Sequence, residues 1–174
     1  AYMYYSNSQV KPILENWYNS NIGNNEKYSK YVASGDYYCE QAKAKVIDEQ
    51  TSGSATMIVY TSYTPNFKCE TDGNGKGVVN SNIGLLTYDE LVYAGGYSDT
   101  NNSNYYLYTT KYWWTMSPSG YSSYPSATVW RIVGEGTYRD FGVDYSHTLR
   151  PVINLKSDTN MIGSGTIDNP YVVK

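Results

Sequence analysis

The sequence predicts an α+β fold in which two helices pack on short antiparallel strands, within a single domain over residues 1–174. Three observations carry this. The chain of 174 residues is long enough to bury one core without help from a metal or a partner. Helical periodicity is confined to two early stretches, and the rest alternates β-branched or aromatic runs with Gly, Pro, Asn and Ser clusters. Helices first and hairpin-like strands afterwards fit neither a sandwich nor a doubly wound sheet.

The first helix is expected over Ser8 to Ser20. Val10, Ile13, Leu14, Trp17 and Tyr18 recur at the spacing of one helix face, and Pro12 falls near the first turn, where a missing N–H does least harm. Asn21 to Asn25, with Gly23 among them, end it. A second helix is expected over Leu86 to Ala94. Thr87 and Glu90 form a T-x-x-E capping box, Leu86 and Leu91 occupy the two staple positions, and Gly95-Gly96 stops the run. Strands are expected at Thr56 to Tyr63, Tyr105 to Thr110, Tyr112 to Met116, Ala127 to Val133 and Leu149 to Leu155. The Gly134-Glu135-Gly136 turn folds the fourth of these back. No repeat of solenoid length is visible.

Composition removes several functions. The hydrophobic share is 40%, but it contains 22 tyrosines; without them about 28% remains, a thin supply of other apolar residues. Tyrosine therefore serves both as core filler and as surface. No apolar run of membrane-spanning length and no signal-peptide pattern occurs, so no membrane insertion is expected of this segment. Thirteen basic and 16 acidic residues give a net charge of −3, which argues against nucleic acid as a partner. His147 is the single histidine, so a multi-histidine metal site is excluded, and no phosphate-binding glycine motif is present. Neither a metal nor a cofactor is expected.

Cys39 and Cys69 are too far apart for a zinc knuckle or a CxxC redox motif. The preferred reading is a disulfide closing a loop, worth about 3–4 kcal/mol in the chain-entropy model, with an oxidising location as its consequence; two reduced, buried cysteines are the alternative. Glu70, Asp72, Asn74 and Gly75 begin like an EF-hand loop, but the twelfth position is Ser81 rather than the required glutamate, and a solvent-exposed turn is expected. Asp144, Ser146 and His147 lie close in sequence, yet triads are assembled from separate elements and no nucleophile elbow is present. No enzymatic activity is expected.

The late aromatic cluster is the sharper signal. Tyr121, Tyr124, Trp130, Tyr138, Phe141 and Tyr145 are interleaved with Ser119, Ser122, Ser123, Arg139, Asp140 and Asp144, the mixture of rigid rings and small or charged polar groups that binding surfaces favour. One of Trp113 and Trp114 must face inward on a strand. The stretch from Gly136 to Thr148 is read as a loop and as the place of recognition.

Four segments together resemble a known group. Gly84-Leu85-Leu86-Thr87-Tyr88-Asp89-Glu90, Tyr112-Trp113-Trp114-Thr115-Met116-Ser117-Pro118, Leu149-Arg150-Pro151-Val152-Ile153-Asn154-Leu155 and Gly165-Thr166-Ile167-Asp168-Asn169-Pro170-Tyr171 are similar to bacterial surface domains of gut Firmicutes type, related to C-type-lectin-fold proteins. Asn16-Trp17-Tyr18 and the Cys39/Cys69 pair also fit, so the resemblance spans nearly the whole chain and implies a C-type-lectin-like fold. That fold is also used by the variable proteins of diversity-generating retroelements. There an AAY template codon becomes any NNY codon, which never encodes Lys, Glu, Gln, Met or Trp, and Thr137 to Thr148 contains none of these. The Glu-Pro-Asn, Gln-Pro-Asp and Trp-Asn-Asp motifs of calcium-dependent lectins are missing, as are the catalytic cysteine positions of formylglycine-generating relatives.

The function expected from these residues is surface-displayed binding of a protein or glycan through Tyr121, Tyr124, Trp130, Tyr138, Arg139, Asp140, Phe141, Asp144, Tyr145 and His147. The chain would sit outside the cell on a bacterial surface, anchored by a segment outside this sequence. The rival expectation is a pilin-like or cell-wall subunit that self-associates through its tyrosine surface. Sequence alone leaves the oligomeric state and the ligand open.

Overall fold

Helix α1, Val10–Tyr18, forms where the apolar spacing places it and runs on into a π-helical turn, Asn19–Gly23. Its buried seam is narrower than the expected stripe. Leu14 and Tyr18 are buried and Val10 is half-buried, whereas Ile13 and Trp17 are exposed. This structure is a computed structural model that describes residues 5–40, 46–52, 55–60, 67–69, 77–98, 103, 107–121, 127–134, 136–166 and 168–174.

A short helix α2, Glu26–Ser29, follows, its first turn capped by the Asn25 side chain, which accepts from the Lys27 N–H. The strands β1 (Asp36–Cys39), β2 (Val46–Ser52), β3 (Ala55–Tyr60), β4 (Val78–Ser81) and β5 (Gly84–Leu85) precede helix α3, Tyr88–Tyr93. The capping box is present in full: Glu90 N–H donates to Thr87 Oγ1 at 3.2 Å and Thr87 N–H donates to Glu90 Oε2 at 2.7 Å. Gly95, at φ 104°, turns the chain out of the helix in a conformation that side chains resist.

After α3 come β6 (Tyr97–Ser98), β7 (Trp113–Tyr121), β8 (Ala127–Ile132), β9 (Thr137–Gly142), β10 (Thr148–Leu149), β11 (Pro151–Val152), β12 (Met161–Ile162) and β13 (Val172–Val173). The molecule is thus mixed α+β, with few helices and several antiparallel pairings. The largest sheet has five strands in the order β10-β7-β8-β9-β6, antiparallel at its centre and parallel at both edges. β1 pairs with β4, β2 with β3, β5 with β11 and β12 with β13, each antiparallel.

Two apolar clusters hold these layers. Tyr88 and Leu91 of α3 pack with Leu107, Trp113, Trp130, Ile132 and Tyr138 on one face of the large sheet. Leu14 and Tyr18 of α1 pack with Tyr5, Val32, Ile83 and Leu85. Tyrosine fills both, which answers the short aliphatic supply. Cys39 and Cys69 are joined in a disulfide, consistent with a non-cytoplasmic location. Beside it, Phe67 meets Tyr93 of α3 edge-on at 5.0 Å.

Several expectations change. The strand expected over Leu149 to Leu155 divides: β10 lies beside β7, β11 beside β5, and Leu155 bridges to Val32. Pro151 cannot donate to a continuing ladder, and the chain changes partner at Arg150. Residues 107–110 form no strand; Tyr105 and Tyr106 lie outside the described residues, as do residues 61–63 of the first expected strand and Glu70, Asp72, Asn74 and Gly75. The stretch 137–142, read as loop, is β9. Its Arg139-Asp140 pair hides the strand pattern, and a ladder with β8 from Thr128↔Gly142 to Ile132↔Tyr138 supplies what local propensity does not.

Candidate functional site

Along β7, β8 and β9 successive side chains alternate between the two faces of the sheet. Trp113, Ile132 and Tyr138 stand opposite one another in the ladders and form the inner row, covered by α3. Trp130, two residues from Ile132, joins them, stacking on Tyr88 at 4.7 Å with Tyr138 edge-on to both rings. Trp130 and Tyr138, expected at the contact surface, are therefore core residues. The correction has a simple cause: once Ile132 faces α3, period two brings Trp130 with it.

The outer face carries the other register. Trp114, Arg131 and Arg139 face one another across the three strands, with Phe141 opposite Val129. The connection from β9 to β10 must cross both β8 and β7, because these two strands lie between its ends in the sheet. Gly142 O accepts from the Tyr145 N–H at 3.3 Å, and Tyr112 O accepts from the Thr148 N–H at 3.0 Å. The turn between them lays His147 over the sheet.

Arg131 is the centre of this arrangement and only 8% exposed. Its guanidinium carbon lies 3.7 Å from the Phe141 ring centroid and 5.0 Å from that of Tyr112, the stacking that a planar cation favours. Nη1 is 2.6 Å from Nε2 of His147. An arginine can only donate, so Nε2 accepts and the imidazole proton resides on Nδ1. The His147 ring in turn lies 4.5 Å from Trp114, and Phe141 lies 4.4 Å from Tyr145.

Burial, and then the charge of Arg131, push the His147 pKa below its ordinary value, against a hydrogen bond to the Ser146 backbone that raises it. The imidazole is neutral at pH 7. Burial also lowers the Arg131 pKa, opposed by Tyr112, assisted by Arg139 and opposed by Asp140. Arg131 makes no ion pair among the described residues, and its Nε has no hydrogen-bond partner there. The rings around it replace a carboxylate.

Of the residues expected from sequence, Arg139, Phe141, Tyr145 and His147 come together on or beside this face. Asp144 is exposed in the turn, and Asp140 is exposed opposite Trp130 in the ladder. Tyr121 ends β7, and Tyr124 lies outside the described residues. Sequence reasoning missed Arg131, Tyr112 and Trp114. Sequence alone carried only half of the signal in Trp130-Arg131: adjacent strand residues face opposite ways, and Arg131 lies on the outer face once packing puts Trp130 in the core.

With Nε2 turned to Arg131, His147 is not placed to take a proton from Ser146 or Asp144. The site instead presents flat aromatic area, edged by Tyr145 at 56% exposure and by Arg139. Among the described residues no group of three or more His, Cys, Asp or Glu could hold a metal ion, and no helix is long and apolar enough to cross a membrane. Comparison of the chain with protein-family models, with curated proteins and with solved structures finds no match.

Proposed function

We propose that this chain is a non-enzymatic binding domain displayed outside a bacterial cell, and that it holds a protein or glycan ligand against the outer face of its large sheet. One observation carries this reading: Arg131 is clamped among Phe141, Tyr112 and His147, so that a patch of rings is held rigid while Tyr145 and Arg139 stay exposed at its edge. Rigid aromatic contacts lose little conformational freedom on binding, and arginine and tyrosine are frequent anchors. The element order, with α1 and α3 before an aromatic β7, the β8–β9 hairpin and the Arg-Pro-Val segment, supports a C-type-lectin-like arrangement.

The same order supports a variable protein of a diversity-generating retroelement. In that version diversity falls on Arg139, Phe141 and the turn 143–147, while Tyr138 stays constant because it is core. The coding region for Thr137 to Leu155 then has a near-copy beside a reverse transcriptase gene; without one, the diversified version fails and the binding reading stands.

The deciding experiment screens the immobilised chain against a glycan array and purified bacterial and host surface proteins, then repeats each hit with the double variant Arg139→Ala, Tyr145→Ala. The expected result is a loss of at least about tenfold in affinity with an unchanged melting temperature. Hits indifferent to both substitutions would remove the outer face from the reading.

Self-association is a second reading, favoured by the exposed Ile13 and Trp17 on α1, one turn apart on the helix. It predicts concentration-dependent mass in sedimentation that Ile13→Ala, Trp17→Ala abolishes.

A further inference from the structure

We propose a second binding site, for a small acidic sugar of the uronate class, at the β10 edge of the large sheet. There the segment leading into β7 and the chain around β10 form an open pocket of about 410 Å³, lined by Tyr108, Lys111, Trp113, Thr148, Leu149 and Arg150 among others. That volume is within the range of small-ligand sites, roughly 300–1,000 Å³. None of the outer-face residues lines it, so the inference stands independently of the function proposed above.

The chemistry of the lining is one-sided. Among the described residues, Lys111 and Arg150 bring two positive charges to the pocket, no Asp or Glu lines it, and neither cation has an ion-pair partner. This occurs in a chain whose net charge is −3. Arg150 is held in place from behind: its Nη1 donates to Leu107 O at 2.7 Å and its guanidinium lies 5.5 Å from the Trp113 ring. A guanidinium fixed in this way keeps further N–H donors for a carboxylate, which it binds in a planar, two-pronged manner.

Trp113 also lines the pocket, although its ring is only 1% exposed. The exposed Tyr108 ring and Leu149 complete a wall with apolar surface. A ligand matching this lining carries one carboxylate, a ring face that can lie on an aromatic side chain, and hydroxyls for Thr148 and Thr109, which also lines the pocket. A hexuronate has all three.

The test titrates the whole chain with sodium glucuronate and sodium galacturonate, following tryptophan fluorescence and the Trp113 indole N–H resonance. Methyl glucoside, acetate and sulfate serve as controls. Saturable uronate binding is expected, weakened by salt and at least about tenfold tighter than for any control. Arg150→Gln also removes the Leu107 anchor. Lys111→Gln is therefore the deciding variant, because the Lys111 side chain is exposed and, among the described residues, only its backbone is bonded, to Thr109 Oγ1. It is expected to weaken uronate binding about tenfold with unchanged melting, while Arg139→Ala, Tyr145→Ala leaves it intact. No saturable uronate binding, equal binding of a control, or a Lys111→Gln variant that binds as well as the parent would each overturn the proposal.

Discussion

Nη1 of Arg131 lies 2.6 Å from Nε2 of His147, and this contact ties the turn after β9 to the middle strand of the sheet. It exists only while the imidazole is neutral, since a protonated ring has no lone pair to accept with and would face a buried cation. The folded His147 pKa is held below its ordinary value, first by burial and then by Arg131.

The sign of the pH dependence follows. The unfolded chain takes up this proton near pH 6.5, the folded chain only at lower pH, so the stability involved is complete above that value and is lost as pH falls through it toward the folded pKa. The melting temperature is expected to drop more between pH 7.5 and 5.5 in the parent than in His147→Gln, by scanning calorimetry. Parallel pH profiles would show that His147 does not carry the effect.

Trp130 and Tyr145 separate core from surface. Trp130→Ala removes a ring that stacks on Tyr88 and meets Tyr138 edge-on and is expected to cost about 3–5 kcal/mol. Tyr145→Ala, at an exposed edge, is expected within about 0.5 kcal/mol of the parent. Urea unfolding of both variants measures the difference.

The disulfide between Cys39 and Cys69 closes a loop with a sequence separation of 30. Replacing both cysteines by serine is expected to lower stability by about 3–4 kcal/mol. Equal unfolding midpoints with and without reductant would contradict this.

Gly84 lies against the ring of Tyr38, where an added Cβ would overlap Cδ1. Tyr38 cannot move freely, because its hydroxyl accepts from the Asn154 N–H at 3.1 Å. Gly84→Ala is expected to cost about 1–3 kcal/mol through overpacking, and Gly84→Ala with Tyr38→Ala less than the two single changes combined. A double-mutant cycle in urea reads this coupling.

Local signals in the sequence were legible wherever they depend on near neighbours. The Thr87–Glu90 box, the seam of α1 at Leu14 and Tyr18 and the turn at Gly136 are each specified within a few residues, and each is present. The Cys39–Cys69 pairing was legible for another reason, since two cysteines allow only one intramolecular bond. The candidate site was legible in part. Arg139, Phe141, Tyr145 and His147, grouped from sequence with six other residues, lie on or beside one face, but β9 was taken for loop because Arg139-Asp140 interrupts its apolar pattern.

The sequence by itself determined the mixed α+β character, the capped start of α3 and its stop at Gly95, the cystine and the reliance on tyrosine for core, whereas α2 and the π-helical continuation of α1 were not expected. Only the tertiary structure decided which rings became core and which became surface. Trp130 and Arg131 are adjacent in the chain, and no local property says which of them faces α3. That choice is made by packing between distant segments, through Tyr88 on α3 and the β8–β9 ladder, because burial of an aromatic ring is worth more than any single-residue preference. The same packing turns Arg131 outward and brings His147 across the sheet to meet it.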